Sequence, residues 1–281
     1  MNNKPIVAIM YDFDKTLSPK DMQEYAFIPG IKMKSEEFWD KCTKLMNEKN
    51  MDQILAYMYV MLTEARGKML LNRDEFKKLG ESVKLFNGVR TWFKRVNTYG
   101  EKLGVQVEHY IISSGLKEII EGTPIACEFK MIYAAEFCYD EKNVPIWPAM
   151  AVNYTSKTQF LFRINKGVLD VTEHTRLNEY TPEDRRRVPF RNMIYIGDGF
   201  TDVPCMKLVT VNGGYSIAVY QEDIKTANAM IRQGRVDFTA YADYSKGSKM
   251  EKLVFTILDK IKSTDVIVKM HIEDEEVAKE E

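Results

Sequence analysis

The stretch from Ile6 to Ser18, which reads IVAIMYDFDKTLS, decides the fold. Residues 5–10 are mostly apolar, and Asp12 and Asp14 follow them with a single residue between. An apolar run of this length between polar residues predicts a buried β-strand. Because alternate side chains of an extended chain point the same way, both aspartates are expected to emerge together at the carboxyl end of this strand. Open α/β sheets bind their ligands at that edge.

Two carboxylates placed side by side at a strand end require a partner. At about 4 Å and an effective dielectric constant of ~20, two like charges repel each other by roughly 4 kcal/mol. The pair Asp12 and Asp14 therefore predicts a bound cation or a shared proton.

The bulk composition is typical of an ordinary soluble globular protein. The chain has 281 residues, 45% of them hydrophobic and 29% charged, a length that suggests about two domains or one domain with a large insertion. Forty basic and 41 acidic residues give a formal net charge of −1, so we expect neither a nucleic-acid partner nor binding to an anionic membrane. No apolar stretch approaches the ~20 residues needed to span a bilayer. The aspartates follow the amino terminus too closely for a signal peptide.

The cysteines predict a reducing, cytoplasmic environment. No Cys-x-x-Cys pair occurs and no histidine stands at zinc-ligand spacing, so each cysteine is expected to be a free thiol that fills the core. Free thiols without an export signal favour the cytoplasm. The four cysteines are Cys42, Cys127, Cys138 and Cys205. The histidines His109, His174 and His271 are scattered, and we do not expect any of them to be catalytic.

Helical periodicity dominates the region after Leu17. Apolar residues recur every three or four positions between residues 51 and 62, and weaker patterns of the same kind occupy residues 36–47 and 73–85. The block lies too early and is too long for a simple crossover between two strands. Residues 19–86 are therefore expected to form a separate helical cap, from which Glu24, Tyr25 or Phe27 could face a pocket.

Strands and helices alternate through the rest of the chain. The predicted strands are residues 107–112, 129–137, 192–196, 216–220 and 236–239, and the predicted helices are residues 89–99, 116–121, 158–164, 249–262 and one after residue 202. Residues 139–154 are expected to be irregular or a hairpin. This alternation predicts an α/β fold, a Rossmann-like doubly wound parallel sheet with right-handed crossovers. Residues 1–18 and 87–263 would form this core, and residues 264–281 an acidic, solvated tail.

Four polar clusters fall at predicted strand ends or helix starts. Together they supply a nucleophile, an acid, hydrogen-bond donors, a cation and metal ligands, which are the groups that phosphoryl transfer needs. The clusters are Asp12, Asp14 and Thr16, then Ser113, Ser114 and Gly115, then Lys157, and finally Asp198 and Asp202.

The order and setting of these clusters resemble the haloacid dehalogenase superfamily of aspartate-nucleophile hydrolases, over about residues 6–220. The resemblance implies that Asp12 attacks phosphorus and becomes an aspartyl phosphate, while Asp14 protonates the leaving oxygen and later deprotonates water. It also implies Mg²⁺ bound by Asp12, Asp198 and the backbone carbonyl of Asp14. Asp202 would order the ligands of that ion. Mg²⁺ would also remove most of the repulsion between four carboxylates and a phosphate dianion.

The resemblance also assigns the groups that would bind phosphate. Ser113 would donate a hydrogen bond to it, helped by the amides of Ser114 and Gly115 near a helix start. Lys157 would neutralise the nucleophile and the transferring oxygens. Thr16 is counted as a further phosphate-binding residue. Lys142 or Lys166 could compete with Lys157 for its role.

The residue two positions after the nucleophile separates the reactions of this superfamily. Its dehalogenases and phosphonatases lack an acid there, whereas its phosphatases and phosphomutases carry aspartate, so Asp14 points to a phosphate ester. A leaving alcohol needs a proton, which a nearby acid supplies. The helical block resembles the cap of the phosphoserine phosphatase-like branch, and such caps close over small substrates. The expected substrate is a small phosphorylated metabolite.

Other functions fit part of the pattern. A phosphotransferase or phosphomutase of the same superfamily would pass the phosphoryl group to an alcohol. A phosphoacceptor signalling module uses similar groups, but in a different order, and a cap would obstruct its partners. A calcium loop is rejected because Leu17 and Gln23 stand where its glycine and its closing glutamate belong.

The stretch between Lys157 and Asp198 is longer than the single crossover usual in this superfamily. Residues 165–189 are therefore interpreted as an additional insertion, which could touch substrate or merely cover the sheet. Arg185–Arg187 follow two acidic residues and are expected to be solvated and paired locally.

Overall fold

The computed structural model describes residues 4–280, without the side chains of residues 184, 276 and 280. Residues 1–3 of the predicted core and Glu281 of the predicted tail lie outside this range. Within residues 4–280, no helix combines the length and the apolar character needed to cross a bilayer.

Seven strands form one sheet, whose spatial order is β4-β3-β2-β1-β5-β6-β7. The strands are β1 (Ile6–Tyr11), β2 (Gln106–Leu116), β3 (Met131–Tyr139), β4 (Pro145–Met150), β5 (Met193–Gly197), β6 (Tyr215–Tyr220) and β7 (Phe238–Tyr241). All neighbouring pairs run parallel except β3 and β4, which form an antiparallel hairpin. The predicted α/β class is confirmed. Residues 139–154, expected to be irregular or a hairpin, supply the turn and the second strand of a hairpin whose first strand is β3.

Eleven α-helices accompany the sheet in the part of the chain that is described. They are α1 (Phe27–Gly30), α2 (Ser35–Lys49), α3 (Gln53–Glu64), α4 (Arg73–Gly80), α5 (Val89–Leu103), α6 (Lys117–Glu121), α7 (Lys157–Lys166), α8 (Thr175–Asn178), α9 (Val203–Val211), α10 (Lys225–Arg232) and α11 (Lys249–Glu280). Helices α1 to α4 follow β1 directly, and we call them the helical insertion. It contacts the rest of the fold through α3 with β4 and α4 with α6.

The central strand β1 is buried on both faces. Val7, Ile9 and Tyr11 pack into one hydrophobic core, whereas Ala8 and Met10 pack into the other. Such burial explains why the strand reads as a continuous apolar run instead of an alternating one. From β1 the sheet grows through β2 and β3 on one side and through β5, β6 and β7 on the other. Its topological switch point therefore lies between β1 and β5, where a ligand site is expected.

A chain of hydrogen bonds crosses the core beside β1. Trp92 Nε1 donates to the Tyr11 hydroxyl (2.9 Å), which lies 3.0 Å from His109 Nδ1. His109 Nε2 lies 2.9 Å from Asn97 Oδ1, which can only accept. The proton is therefore on Nε2, and the Tyr11 hydroxyl donates to Nδ1. Burial lowers the pKa of His109 to about 3, so the ring is a neutral structural element.

Several predicted boundaries were wrong, among them the following three. The helix predicted over residues 73–85 ends at Gly80, because the chain returns to the sheet, where Phe86 N donates to Leu17 O (3.0 Å). Strand β2 continues to Leu116 and so includes the Ser-Ser-Gly segment that was placed after it. The last strand begins at Phe238, two residues later than predicted.

The predicted acidic tail is helical. Helix α11 continues to Glu280, so residues 264–280 extend a helix expected to end at residue 262. Contacts between side chains four positions apart support this extension, such as Lys269 with Asp265 (3.0 Å) and Lys279 with Glu275 (3.8 Å). Residues 271–275 are exposed, as the expectation of a solvated tail required.

The cysteine expectation was half right. All four cysteines are free, and Cys42 and Cys205 are buried. Cys127 and Cys138 are exposed, contrary to the expectation that each cysteine fills the core. Cys127 lies in a short 3-10 turn, and Cys138 lies in β3, which pairs with the hairpin strand β4.

Residues 165–189 form a segment that covers the sheet. Arg163 of α7 is 1% exposed and donates to the carbonyl oxygens of Asp170 (2.6 Å) and Val171 (3.0 Å). Arg187 was expected to be solvated and paired with its acidic neighbours. It instead pairs with the buried Glu108 of β2 (2.5 Å), which Lys130 also contacts, so two cations compensate the burial of this carboxylate.

Candidate active site

The site lies at the carboxyl ends of β1 and β5. Asp12 follows β1, and its backbone N–H donates to Ile196 O (2.9 Å), which fixes the two strand ends together. Asp198 follows β5 directly. The structure thus brings together the first and last of the predicted clusters at the switch point of the sheet.

Three carboxylates converge there. Asp12, Asp198 and Asp202 each present an oxygen, and these oxygens all lie within 4.8 Å of one another. Asp12 Oδ1 is buried and accepts no hydrogen bond of good geometry from the described residues. Hard carboxylate oxygens are the ligands that Mg²⁺ prefers. The arrangement therefore fits a divalent cation.

Burial and mutual repulsion disfavour ionisation of these acids. Burial raises the pKa of Asp12 to about 6, with Lys157 opposing the rise. Burial, followed by the charges of Asp202 and Asp12, raises the pKa of Asp198 well above its usual value. A bound cation would reverse both shifts, because it favours the charged form of each carboxyl group.

Lys157 is the buried cation that balances the cluster. Its Nζ lies 3.2 Å from Asp12 Oδ1 and 2.8 Å from Asp202 Oδ1, and its side chain is 1% exposed. Burial alone lowers the pKa of Lys157, but the charges of Asp12 and Asp202 outweigh burial and raise it. The ammonium group therefore stays charged beside Asp12.

The competing lysines lie elsewhere. Lys166 Nζ donates to the carbonyl oxygens of Leu177 and Glu179 (both 2.6 Å), and Lys142 is exposed. Among the described residues, Lys157 is the lysine that forms an ion pair with Asp12. Lys157 is thus the predicted lysine that the fold brings to Asp12.

Asp202 is held by more partners than the sequence indicated. Besides Lys157, the Tyr195 hydroxyl donates to its Oδ1 (2.9 Å), and Gly199 N lies 3.4 Å from its Oδ2. Tyr195 lies inside the buried strand β5. Sequence reasoning assigned Tyr195 only to the strand, since a tyrosine in an apolar run gives no sign of its hydroxyl's partner.

Asp14 is not part of this three-carboxylate cluster. Its Oδ1 accepts a hydrogen bond from Met22 N (2.8 Å), which fixes the carboxyl group. Burial, followed by the charges of Asp21 and Asp12, raises the pKa of Asp14 well above its usual value. This environment favours a protonated carboxyl group that can donate.

The Ser-Ser-Gly segment faces Asp14. A Cβ atom at Gly115 would lie 2.0 Å from Met22 Cε and 3.0 Å from Asp14 Oδ2, so glycine is the residue that fits. Ser113 is 1% exposed, and all three residues line the cleft. Gly115 N donates to Ser113 Oγ (3.1 Å) within β2, two residues before the start of α6. A contact of this amide with phosphate stays a prediction.

Thr16, which the sequence suggested as a phosphate-binding residue, does not line the cleft. It is fully buried, and its Oγ1 donates to Asp198 Oδ1 (3.4 Å). The tight turn that follows Phe13, with Leu17 N donating to Phe13 O (2.9 Å), carries Thr16 beneath the site. Its hydroxyl thus orients a carboxylate of the acidic cluster.

The helical insertion closes one side of the site. A cleft of about 390 Å³ lies between it and the sheet. Tyr57 of α3 donates to Ser114 O (2.8 Å), and Asn153 Nδ2 donates to Asp52 Oδ2 (3.2 Å) just before α3. Sequence reasoning missed all three side chains, because each partner lies far away in the chain. The insertion's contributions to the cleft include Trp39, Met46, Gln53, Ile54 and Tyr57.

The three residues proposed to face a pocket from this region do not line the cleft. Phe27 is fully buried in the core. The Tyr25 hydroxyl accepts a hydrogen bond from Ser18 Oγ (3.0 Å), and Glu24 accepts one from Trp39 Nε1 (3.4 Å). Their neighbours Asp21 and Gln23 line the cleft instead. The short 3-10 turn at Met22–Glu24 determines which of these side chains point toward the cleft. The sequence did not predict this turn.

Fold and site together define an α/β protein with an acidic cluster at the switch point of its sheet. The sequence model of the haloacid dehalogenase-like hydrolase family matches residues 9–207. The chain belongs to this family, as the resemblance predicted. It is also 30% identical over 287 residues to an uncharacterized protein of Borreliella burgdorferi, over 90% of this chain and 98% of that protein.

Solved structures of the same fold agree. A HAD family hydrolase from Salmonella enterica serovar Typhi superposes with a TM-score of 0.58 at 15% identity, covering 92% of this chain and 73% of that one. A substrate-bound phosphoserine phosphatase superposes with a TM-score of 0.55 at 14% identity, covering 84% of this chain and 93% of that one. A phosphoserine phosphohydrolase-like protein from Francisella tularensis superposes with a TM-score of 0.52 at 18% identity, covering 85% of this chain and 95% of that one. At these identities the likeness establishes the fold.

Proposed function

We propose that this protein is a Mg²⁺-dependent phosphatase that hydrolyses a small phosphomonoester through an aspartyl phosphate on Asp12. The observation that carries the proposal is the setting of Asp12, which contacts a buried ammonium group and is followed two residues later by a carboxyl group with a raised pKa. These are the neighbours that an attacking carboxylate and its leaving group need. The phosphatases among the structural neighbours support the same reaction class.

Asp12 is the proposed nucleophile. Its carboxylate attacks phosphorus, and the ester oxygen departs. Lys157, 3.2 Å from Asp12 Oδ1, favours the ionised form of the nucleophile and neutralises charge that develops on the transferring oxygens. The Tyr195–Asp202 contact keeps the ammonium group in place, because Asp202 binds both side chains.

Asp14 is the proposed general acid and base. Its raised pKa favours the protonated form before the ester bond breaks, so the carboxyl group can protonate the leaving oxygen. The same group then accepts a proton from the water that attacks the aspartyl phosphate. Met22 N holds Oδ1, which leaves Oδ2 to exchange the proton.

The residues present fit a magnesium ion. Carboxylate oxygens of Asp12, Asp198 and Asp202 would hold it, and the Thr16 hydroxyl orients Asp198 toward it. When bound, the ion would neutralise negative charge on the phosphate and on the cluster. We retain the backbone carbonyl of Asp14 as a further proposed ligand.

The phosphate is proposed to lie against the Ser-Ser-Gly segment. Ser113 Oγ already accepts from Gly115 N, so its hydroxyl proton is available for a phosphate oxygen. Ser114 lies beside it in the cleft, and its carbonyl is held by Tyr57. Lys157 approaches from the Asp12 side.

The helical insertion is proposed to act as the cap predicted for residues 19–86, over a core of residues 1–18 and 87–263. Its contacts through Tyr57 and Asp52 close the cleft, and a cleft of about 390 Å³ suits a metabolite better than a folded phosphoprotein. Closure excludes water while the aspartyl phosphate forms. Four free cysteines support a reducing, cytoplasmic setting.

Phosphate release from a panel of phosphorylated metabolites and from p-nitrophenyl phosphate tests the proposal. We expect release with Mg²⁺, none with EDTA, and a loss of at least about 10³-fold in Asp12→Asn without a change in far-UV circular dichroism. Asp40→Asn, on the exposed side of α2, is the matched control and should retain activity. Hydrolysis by Asp12→Asn at the wild-type rate would refute the assignment. Transfer to an added alcohol without free phosphate would identify a phosphotransferase.

A further inference from the structure

One wall of the cleft is not used by the proposed chemistry. It is formed by Gln23, just before the helical insertion, and by Trp39, Ile54 and Tyr57 of the insertion. Trp39 and Tyr57 pack edge to face with ring centroids 6.4 Å apart. This wall, which we call the leaving-group wall, is where the alcohol part of a phosphomonoester would lie once its phosphate is beside Asp12.

The charges around this wall are one-sided. Among the described residues that line the cleft, Lys15 is the one cationic side chain, and its Nζ lies 2.8 Å from Asp21 Oδ2. Asp14, Asp21 and Asp52 also line the cleft. A carboxylate or a second phosphate on the alcohol would therefore be repelled by these acids, and Lys15, already paired with Asp21, would not be available to neutralise it. Such an arrangement selects against anionic alcohols, whereas aromatic faces tolerate neutral and cationic ones.

Gln23 supplies a specific polar contact. Its side chain is in the cleft lining, the residue is 2% exposed, and its Oε1 receives no hydrogen bond from any described group. A buried acceptor without a donor is costly, and such atoms are rare unless a ligand or water completes them. Asp14, Asp21 and Asp52 line the same cleft, and acids favour an O–H or N–H donor over a further acceptor.

We propose that the leaving alcohol of the substrate is neutral or cationic and carries a hydroxyl or amino group that donates to Gln23. Gln23 is then a specificity-determining residue of the site. The inference rests on the proposed phosphatase function and adds a substrate class to it. Esters whose alcohol bears a carboxylate or a further phosphate are excluded from that class.

Four aryl phosphates test this selectivity. They are 4-(aminomethyl)phenyl, 4-(hydroxymethyl)phenyl, 4-methylphenyl and 4-(carboxymethyl)phenyl phosphate, whose phenols differ little in acidity. We expect kcat/KM for the first two to exceed that for the methyl ester by about tenfold, the gain from one hydrogen bond, and the carboxymethyl ester to be the poorest substrate. In Gln23→Met the advantage of the donor-bearing esters should fall to within about twofold. Gln159→Met, at an exposed position of α7, should keep the wild-type ratios.

The outcomes separate the two proposals. Similar kcat/KM values for all four esters, or a preference for the carboxymethyl ester, would overturn the inference and leave the phosphatase standing. Hydrolysis of none of them, nor of p-nitrophenyl phosphate, would overturn both. If Gln23→Met does not fold, the wild-type ratios still decide, and Gln23→Glu should raise the ratio of aminomethyl to hydroxymethyl ester. An unchanged ratio in a folded Gln23→Glu protein would count against a role for this side chain.

Discussion

Replacing Lys157 by methionine removes the buried cation and keeps the apolar stem. The ammonium group lies 3.2 Å from Asp12 Oδ1 and 2.8 Å from Asp202 Oδ1. With an effective dielectric constant of ~20, these contacts correspond to gross attractions of about 5 and about 6 kcal/mol. Desolvation of the ammonium group offsets much of this. Truncation of one partner of a buried pair nevertheless costs ~3–5 kcal/mol, because the remaining charges stay buried.

Urea unfolding in EDTA measures this cost. We expect the free energy of unfolding of Lys157→Met to fall by ~3–5 kcal/mol with little change in the denaturant slope. Lys142→Met, at an exposed position, is the matched control and should unfold like the wild type. A loss below about 1 kcal/mol in Lys157→Met would refute the reasoning, since that is the range of an exposed ion pair.

Magnesium provides a second readout of the same variant. The oxygens of Asp12, Asp198 and Asp202 lie within 4.8 Å of one another, so a bound cation should relieve the repulsion that the substitution uncovers. We expect Mg²⁺ to raise the melting temperature of Lys157→Met more than that of the wild type. Phosphate release should stay low, because the fixed charge beside the transferring oxygens is gone.

Three further substitutions probe the acid, the buried histidine and the helical insertion. Asp14→Asn should slow alkyl phosphate hydrolysis by about 10²–10⁴-fold but p-nitrophenyl phosphate hydrolysis far less, because nitrophenolate leaves without a proton; kcat for each ester measures this. The pKa of His109 is lowered to about 3 by burial, against about 6.5 in an unfolded chain. The unfolded state therefore binds the extra proton, and the free energy of unfolding of the wild type should fall relative to His109→Gln by ~1.4 kcal/mol per pH unit below about pH 6.5, measured by urea titration. Tyr57→Phe loses the 2.8 Å hydrogen bond to Ser114 O, which is worth ~1 kcal/mol. Steady-state kinetics should show kcat and KM changing together by several-fold in this variant. Tyr59→Phe, at an exposed position, should leave both unchanged.

Each of these expectations has a contrary result. Equal losses for alkyl and nitrophenyl esters would remove Asp14 from the acid role. Parallel pH profiles for the wild type and His109→Gln would mean that the ring is not held neutral in the fold. Kinetics of Tyr57→Phe equal to those of the wild type would show that its bond to Ser114 does not position the helical insertion.

Short-range patterns made β1 and its aspartates predictable. An apolar run fixes the strand, and the two-residue repeat of an extended chain fixes which side Asp12 and Asp14 share. The same reasoning placed Ser113, Lys157 and Asp198 near a strand end or a helix start. Parallel strands bring such ends to one edge of the sheet, so their convergence follows from the topology.

Contacts that depend on the packing of distant segments were not predictable. The Tyr195 hydroxyl reaches Asp202 only because β5 and the following turn fold back on each other. Tyr57 and Gln23 reach the cleft through the docking of helices and the phase of a short turn, neither of which leaves a periodic signal. The hydroxyl of Thr16 was assigned to phosphate by its proximity in sequence, whereas a tight turn carries it to Asp198.

Helix α11 shows that a local pattern can also be misinterpreted when composition alone is considered. Its acidic composition suggested a frayed end, yet good helix formers and side-chain pairs four residues apart continue it to Glu280. Charge content alone therefore does not separate an exposed helix from a tail. The spacing of opposite charges, as in Asp265 and Lys269, was the available signal.

Stereochemistry at phosphorus tests the central claim most directly. Attack by Asp12 followed by attack of water comprises two in-line displacements, each of which inverts the phosphorus centre. Hydrolysis of an isotopically chiral phosphorothioate ester in labelled water should therefore proceed with net retention of configuration. Net inversion would mean that water attacks the ester directly, and the aspartyl phosphate on Asp12 would have to be abandoned.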